Sequence, residues 1–340
     1  MMSKLYKNVD VDFPIDMVYS WCDGEDILFK ARKMRYAKEY FINKKEDYNE
    51  AAGNQRFFDN EELRYALRSL ERYAPWINHI YIITDRQIPR WLNLENKKIT
   101  VIDHSQIMPH KLIPCFNSTV IERYMVFIPN LQEHFLYSND DMFFGSPVGP
   151  EYFFDNNQPI VRVKFNEKQH FIKNDAMFFN AYNGRDIFQK SCLNSWKLLY
   201  RKYGQQNFYK PHHNVDAYTK KSFLTTLERY QSDFEANNER FRSTRNIQRI
   251  IFNLDAVYSG NATMELIGKP SSLSKHLWPL TKVKFDDYCG SENKKTKKEI
   301  RRFHPKLFCI NANRTSSIED KRKNRLFLEE LFPQPSHFEK

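Results

Sequence analysis

Glycine is scarce in this chain, 9 of 340 residues, and the five cysteines (Cys22, Cys115, Cys192, Cys289 and Cys309) are scattered without a C-x-x-C pair. A disulfide framework and a thiolate zinc site are thereby excluded. No apolar run approaches the roughly 18 residues that a membrane span requires. Met1 to Asp12 is polar and offers no apolar stretch to serve as a signal peptide, so the expectation is a soluble, cytoplasmic chain. The glycine-dependent phosphate and nucleophile motifs are also missing: there is no G-x-x-x-x-G-K-[ST], no G-x-G-x-x-G and no G-x-S-x-G. P-loop enzymes, dinucleotide oxidoreductases and serine hydrolases of the usual kinds lose their support. The lack of H-E-x-x-H spacing disfavours a zinc hydrolase.

What is present is enough apolar residue, 41%, to bury a core and offset ordering entropy. The length suits one large or two modest domains at roughly 100–200 residues each. Basic residues outnumber acidic ones for a net charge of +11, and the excess concentrates late, at Lys294, Lys295, Lys297, Lys298, Arg301 and Arg302, then Lys321, Arg322, Lys323 and Arg325. These runs carry no nucleic-acid-binding signature. A solvated face, an anionic membrane or a phosphorylated substrate all suit them.

Short apolar, β-prone runs recur through the first half: Ile15–Ser20, Ile80–Thr84, Ile99–Ile102 and Phe135–Ser138. Between the first two, Leu63, Leu67 and Leu70 repeat at helical spacing over 61–74, with Asp59 and Glu62 as a capping box and Pro75 as the stop. Lys-rich sequence of helical composition runs to about Glu50, and Ala51–Asn54 reads as a loop. Alternating strands and helices argue an α/β fold, a mostly parallel sheet with flanking helices over residues 1–150. The second half, 151–340, reads as mainly helical (186–202, and 216–258 with a break near 235–242), with strands at Pro159–Phe165, Ala176–Asn180 and Leu307–Asn311. The two halves are expected to pack as one catalytic unit.

The strongest chemical signal is Asn139-Asp140-Asp141 at the carboxyl end of a buried strand, where open α/β sheets bind ligands. Adjacent carboxylates repel unless a cation neutralises them, and hard oxygen ligands select Mg²⁺ or Mn²⁺; a strand-ending Asx turn is the alternative. Asp16 and Asp23 bracket the first strand, where a nucleotide base and ribose can sit. Arg64 and Arg68 lie one helical turn apart, suited to phosphate contacts. Of ten histidines, His212 and His213 follow Pro211 at a junction from which a side chain can project into a cleft as a general base.

Set in order, these segments resemble the Stealth family. The resemblance is carried by Ile15–Gly24 (I-D-M-V-Y-S-W-C-D-G), Asp59–Leu70, Tyr73–Ile77, Ile80–Asp85, Val101–His104, Phe116–Ser118 and His134–Gly145, with Phe308–Asn311 and Phe327–Pro333 in the tail. It implies a nucleotide-binding, glycosyltransferase-A-like fold, a nucleoside-diphosphate sugar donor such as a UDP-sugar, and a divalent cation. The implied reaction moves a sugar 1-phosphate onto a glycan hydroxyl of a capsular or exopolysaccharide and releases a nucleoside monophosphate. By the same resemblance Asp140, Asp141 and Asn311 hold the metal, and His213 is the base, with His212 in reserve. Arg242 and Asp140 join His213 in catalysis, and Asp16, Asp23, Asp59, Asn60, Arg64, Glu122, Asn139 and Lys220 bind substrates. Two positions depart from the family pattern, Ala312 and Asn246, each standing where Asp is usual. The acceptor is expected to be lipid-linked, with the basic runs as a peripheral contact at the inner membrane face and no nucleic-acid partner. A conventional metal-dependent glycosyltransferase and a non-enzymatic basic binding protein are the alternatives.

Overall fold

The computed structural model describes residues 11–42, 48–165, 184–204, 209–267, 284–287, 291–311 and 316–340. Its central sheet is built from β1 (Ile15–Ser20), β2 (Ile80–Thr84), β3 (Ile99–Asp103) and β4 (His134–Asn139). They lie in the order β3-β2-β1-β4, and all of these pairings are parallel. Side chains alternate across the sheet. Val18, Tyr81, Ile83 and Phe135 face one hydrophobic cluster, and Met17, Tyr19, Ile80, Ile82 and Leu136 face the other. Both faces are buried, which is why these strands read as unbroken apolar runs rather than alternating ones.

Two further sheets surround this one, and a fifth strand joins its edge. β5 (Met142–Phe144) leaves β4 through the Asp140-Asp141 turn and pairs antiparallel with the late strand Leu307–Asn311. β6 (Phe154–Asp155), β7 (Gln158–Phe165) and β8 (Tyr209–Pro211) pair antiparallel. β9 (Asp216–Thr219) closes the central sheet antiparallel to β4. β10 (Thr263–Ile267) runs parallel to β7, and β11 (Lys284–Asp287) runs parallel to β12 (Leu307–Asn311). Helices α1 (Ile27–Phe41), α2 (Glu62–Tyr73), α3 (Ile187–Tyr203), α4 (Lys220–Arg229), α5 (Ile250–Tyr258), α6 (Ser291–Phe303) and α7 (Ile318–Leu331) flank the sheets. One cluster combines Val18, Tyr81 and Phe135 with Trp196, Phe223 and Phe252, so first-half strands and second-half helices share a core.

Several local expectations are corrected. Residues 216–219 are not helical: Ala217 and Tyr218 bury toward opposite faces of the sheet, a period of two that the β4 edge rewards. Ala51 and Ala52 end a short helix, Tyr48–Ala52, instead of forming a loop. The cap of α2 is shifted: Glu61 is left-handed (φ 65°), its amide donates to Asp59 Oδ1, and Glu62 Oε2 accepts from the Asn60 amide. The late basic runs form α6 and α7, which dock by burying Ile300 and Phe327. Part of their charge is paired locally, Arg301 with Glu330, and Arg322 and Lys323 with Glu319. The strand expected at Ala176–Asn180 lies outside the described residues.

The C-terminal segment is strapped to α2 by Glu339, which receives Arg68 Nε (2.7 Å), Arg68 Nη2 (2.8 Å) and Arg64 Nε (2.5 Å). Burial raises the Glu339 carboxyl, but Arg68, the Ser336 amide and Arg64 outweigh it and hold it at about 2, below the ordinary 4.5. A depressed carboxylate contributes stability that is present above its unfolded value and lost as pH falls through its folded one. The melting temperature should therefore drop between pH 4.5 and 2, and Glu339→Gln should flatten that drop; an unchanged profile in the variant would remove Glu339 as its cause.

Candidate active site

The carboxyl ends of β1, β2, β3 and β4 open into a cavity of about 690 Å³. Gly24, in the turn after β1, lets a second loop reach that rim. Its amide donates to Phe57 O at 2.6 Å, and a Cβ at this position would lie 2.1 Å from that oxygen. The 57–62 loop consequently carries Asp59 and Glu62 toward Asp140. Burial raises Asp140 well above the carboxylate range, and Asp141 and Asp59 add to it. Burial, Asp140 and Asp59 raise Glu62 likewise, while burial, with Asp23 and Glu61, brings Asp59 to about 6. Carboxylates crowded in this way favour a bound cation or a shared proton.

Opposite them stands His213, its Nε2 3.5 Å from Asp141 Oδ1, an oxygen that is buried and accepts no hydrogen bond. Among the described residues, one group of three could hold a metal ion: Asp141, His213 and Cys309, whose ligand atoms lie within 4.8 Å of one another. The orphaned carboxylate oxygen fits a hard divalent cation, whereas the Cys309 thiol is too soft a donor for Mg²⁺. His212, also on the wall, is pushed down to about 3 by burial and by Lys164, His213 and Arg162.

The cationic side of the cavity includes Arg242 and Arg249, neighbours in sequence whose partners come from distant segments. Arg242 Nη2 donates to the neutral Ser118 hydroxyl at 2.6 Å, and burial lowers its pKa. Arg249 is pinned between Glu122 (3.0 Å) and Asp216 (2.9 Å), with its guanidinium 4.5 Å from the centre of the Tyr137 ring. Breaking a buried pair leaves charge uncompensated. Arg249→Met should cost about 3–5 kcal/mol of stability, read as a lower urea midpoint at unchanged slope; an unaltered midpoint would show that the network contributes little.

Of the residues singled out in the sequence, Glu122, Asn139, Asp140, Asp141, His213 and Arg242 share this cavity. Others do not reach its wall. Asp16 sits at the opposite, amino end of β1, where it accepts from Asn78 Nδ2 and the Gln132 amide, each at 2.8 Å. Lys220 is at that same far end, bonded to the Glu133 and Leu131 carbonyls, because β9 runs antiparallel to β4. Arg64 is committed to Glu339 and Glu61, and Asn60 donates to the Lys321 carbonyl. Asp23 caps the Glu25 amide, while its own backbone is bracketed by the Gln87 side chain. Asn246 is buried, accepting from the Ser243 and Asn117 side of its loop, so it latches that loop and does not face the cavity. Asn311 lies on β12 opposite Asp287, and Ala312 is outside the described residues. Asp85, His104, Arg162, Lys164, Asp216, Arg249 and Cys309 are at the site without having been expected there from sequence. Asp85 and His104 follow apolar strand runs directly and were findable by the same rule that singled out Asp140. Arg249 had no local signal.

Comparison with known proteins settles the family. Residues 56–162 match the model described as Stealth protein CR2, conserved region 2. An exopolysaccharide phosphotransferase of Lactiplantibacillus plantarum is 31% identical over 96% of this chain and 97% of its own length. The chain belongs to the Stealth family. A second relative, an exopolysaccharide phosphotransferase of Streptomyces coelicolor, is 33% identical over 97% of this chain, which spans 53% of that protein. Among solved structures, the galactosyltransferase LgtC aligns over 95% of this chain and 96% of its own at a TM-score of 0.43 and 10% identity. The CR2 match takes in Glu62, Glu122 and Asn139–Asp141; His213, Arg242, Arg249 and Cys309 of this Stealth protein lie beyond it. Among the described residues, no helix is long and apolar enough to cross a membrane.

Proposed function

We propose that the protein transfers a sugar 1-phosphate from a nucleoside-diphosphate sugar to a hydroxyl of a growing cell-surface polysaccharide. The observation that carries this reading is the gathering of Asp140, Asp141, His213 and Arg242 around one cavity at the carboxyl ends of a parallel sheet, with His213 Nε2 3.5 Å from Asp141 Oδ1. The Stealth relatives, which are named polysaccharide phosphotransferases, give the reaction class.

The acceptor oxygen attacks the β-phosphorus as its proton passes to the His213 imidazole. The bond from that phosphorus to the α–β bridging oxygen breaks, and the nucleoside monophosphate leaves with the electron pair. Phosphoryl transfer asks a protein for positioning and charge stabilisation more than for covalent chemistry. Arg242, whose bond is to a neutral hydroxyl, presents its charge to the migrating phosphoryl oxygens. Arg249 is neutralised by two carboxylates and keeps Glu122 and Asp216 in place. Asp140 and Asp141 would hold Mg²⁺ or Mn²⁺, which supplies charge neutralisation at the diphosphate when bound.

Nucleotide sugars incubated with the protein, Mg²⁺ and a glycan acceptor should yield nucleoside monophosphate and a phosphodiester-linked product. Release of nucleoside diphosphate would instead mean attack at the anomeric carbon, the course of a conventional glycosyltransferase, and would overturn the proposal.

A further inference from the structure

Two and three strands away from the Asp140-Asp141 turn, the same cavity holds polar groups that the phosphoryl chemistry does not use. Asp85 directly follows β2 and His104 directly follows β3, and both line the cavity. Both are deeply buried, 2% and 5% exposed. Arg32 commits one side of Asp85, its Nε and Nη2 donating to Oδ2 at 3.1 and 3.0 Å and its Nη2 also to the Asp85 carbonyl at 3.0 Å. That fork neutralises the carboxylate and fixes its rotation, while Oδ1 is buried with no donor. His104 is held neutral, because burial lowers its pKa against the pull of Asp85 and Asp103, and its Nδ1 is likewise buried without a partner. Orphaned polar atoms on adjacent strand ends cost free energy that a bound ligand would recover.

The surroundings define the ligand. Phe29 and Phe116 line the cavity with ring centres 5.5 Å apart, nearly perpendicular, and Cys22 and Cys115 add small apolar surface. Flat aromatic walls with a few oriented polar atoms suit a nucleobase. The sheet supplies a ruler as well. In the order β3-β2-β1-β4, Asp85 is two strand spacings from Asp140, about 10 Å at 4.7–4.9 Å per spacing. A ribose and two phosphates bridge a gap of that order, with the diphosphate at the β4 end.

We propose that Asp85 and His104 form the base-reading subsite of the donor, accepting a ring N–H at Asp85 Oδ1 and donating from His104 Nδ1 to the neighbouring carbonyl. The ligand class is a base with a lactam edge, uracil or guanine. Cytosine turns a ring-nitrogen lone pair toward the carboxylate, and adenine has no carbonyl for His104. This inference rests on the nucleotide-sugar reading above and places the base away from Asp16 and Asp23, neither of which lines the cavity.

The test is calorimetric titration of the full chain with UMP, GMP, CMP and AMP in the presence of Mg²⁺. One lactam base should bind at least tenfold more tightly than CMP and AMP, and which of UMP or GMP it is identifies the donor. Asp85→Asn, which exchanges a pure acceptor for a group that also donates, should lose that preference and move toward CMP. His104→Leu should weaken the preferred nucleotide about tenfold, with His104→Gln restoring part of it; these variants keep the Arg32–Asp85 fork and serve if Asp85→Asn does not fold. Nucleotide binding without base preference, or a preference untouched by Asp85→Asn and His104→Leu, overturns this inference and leaves the donor reading standing. Failure of all four nucleotides to bind the unmutated protein overturns the donor reading itself, and this inference with it.

Discussion

Asp140→Asn is expected to lose sugar-phosphate transfer by at least about 10²–10³-fold while melting no lower than the wild type. The two halves of that expectation share one cause. Burial, Asp141 and Asp59 make the ionised form of Asp140 costly, so an uncharged amide of the same shape relieves the cluster that the fold tolerates. What the amide removes is a charge that a diphosphate-bound cation needs. Asp141→Asn should be at least as severe, since Asp141 Oδ1 also faces His213 at 3.5 Å. Chelator should silence the wild type reversibly. Full activity of both variants, and of wild type in excess chelator, would end the metal mechanism.

His213→Ala should reduce acceptor-dependent transfer by about 10²–10⁴-fold, the range of general-base catalysis, with donor affinity little changed. The neighbouring His212→Ala serves as the comparison. Burial and the adjacent cations Lys164 and Arg162 push His212 down to about 3, so it has little capacity to take up a proton. Its loss should alter packing more than chemistry. If His212→Ala carries the catalytic defect and His213→Ala does not, the roles of the two are exchanged. Steady-state rates at saturating donor, with titrated donor affinity, separate these cases.

The acidic half of the site was legible because its logic is local. β4 reads as F-L-Y-S, and the carboxylates stand where its apolar run ends, so strand pattern and turn chemistry together mark Asn139-Asp140-Asp141. The α2 leucines were legible for the same reason: Leu63, Leu67 and Leu70 alone define a buried stripe. Asp16 lies outside the cavity for an equally physical reason. It stands at the amino end of β1, and parallel pairing with β2 and β4 puts the cavity at the carboxyl ends.

The sequence by itself determined the parallel core strands, the carboxylate pair at the end of β4, and, through the order of its motifs, the family. Tertiary structure alone decided the rest. Residues 216–219 are a strand because the open edge of β4 offers hydrogen bonds that no local preference of D-A-Y-T reveals. Cys309 joins Asp141 and His213 because β12 pairs antiparallel with β5, which brings Cys309 opposite Met142, the residue after Asp141. Arg249 becomes a keystone only when Glu122 and Asp216, from two other elements, close around it. Charge neutralisation of this kind depends on distance in space, and chain order does not encode that distance for residues so far apart.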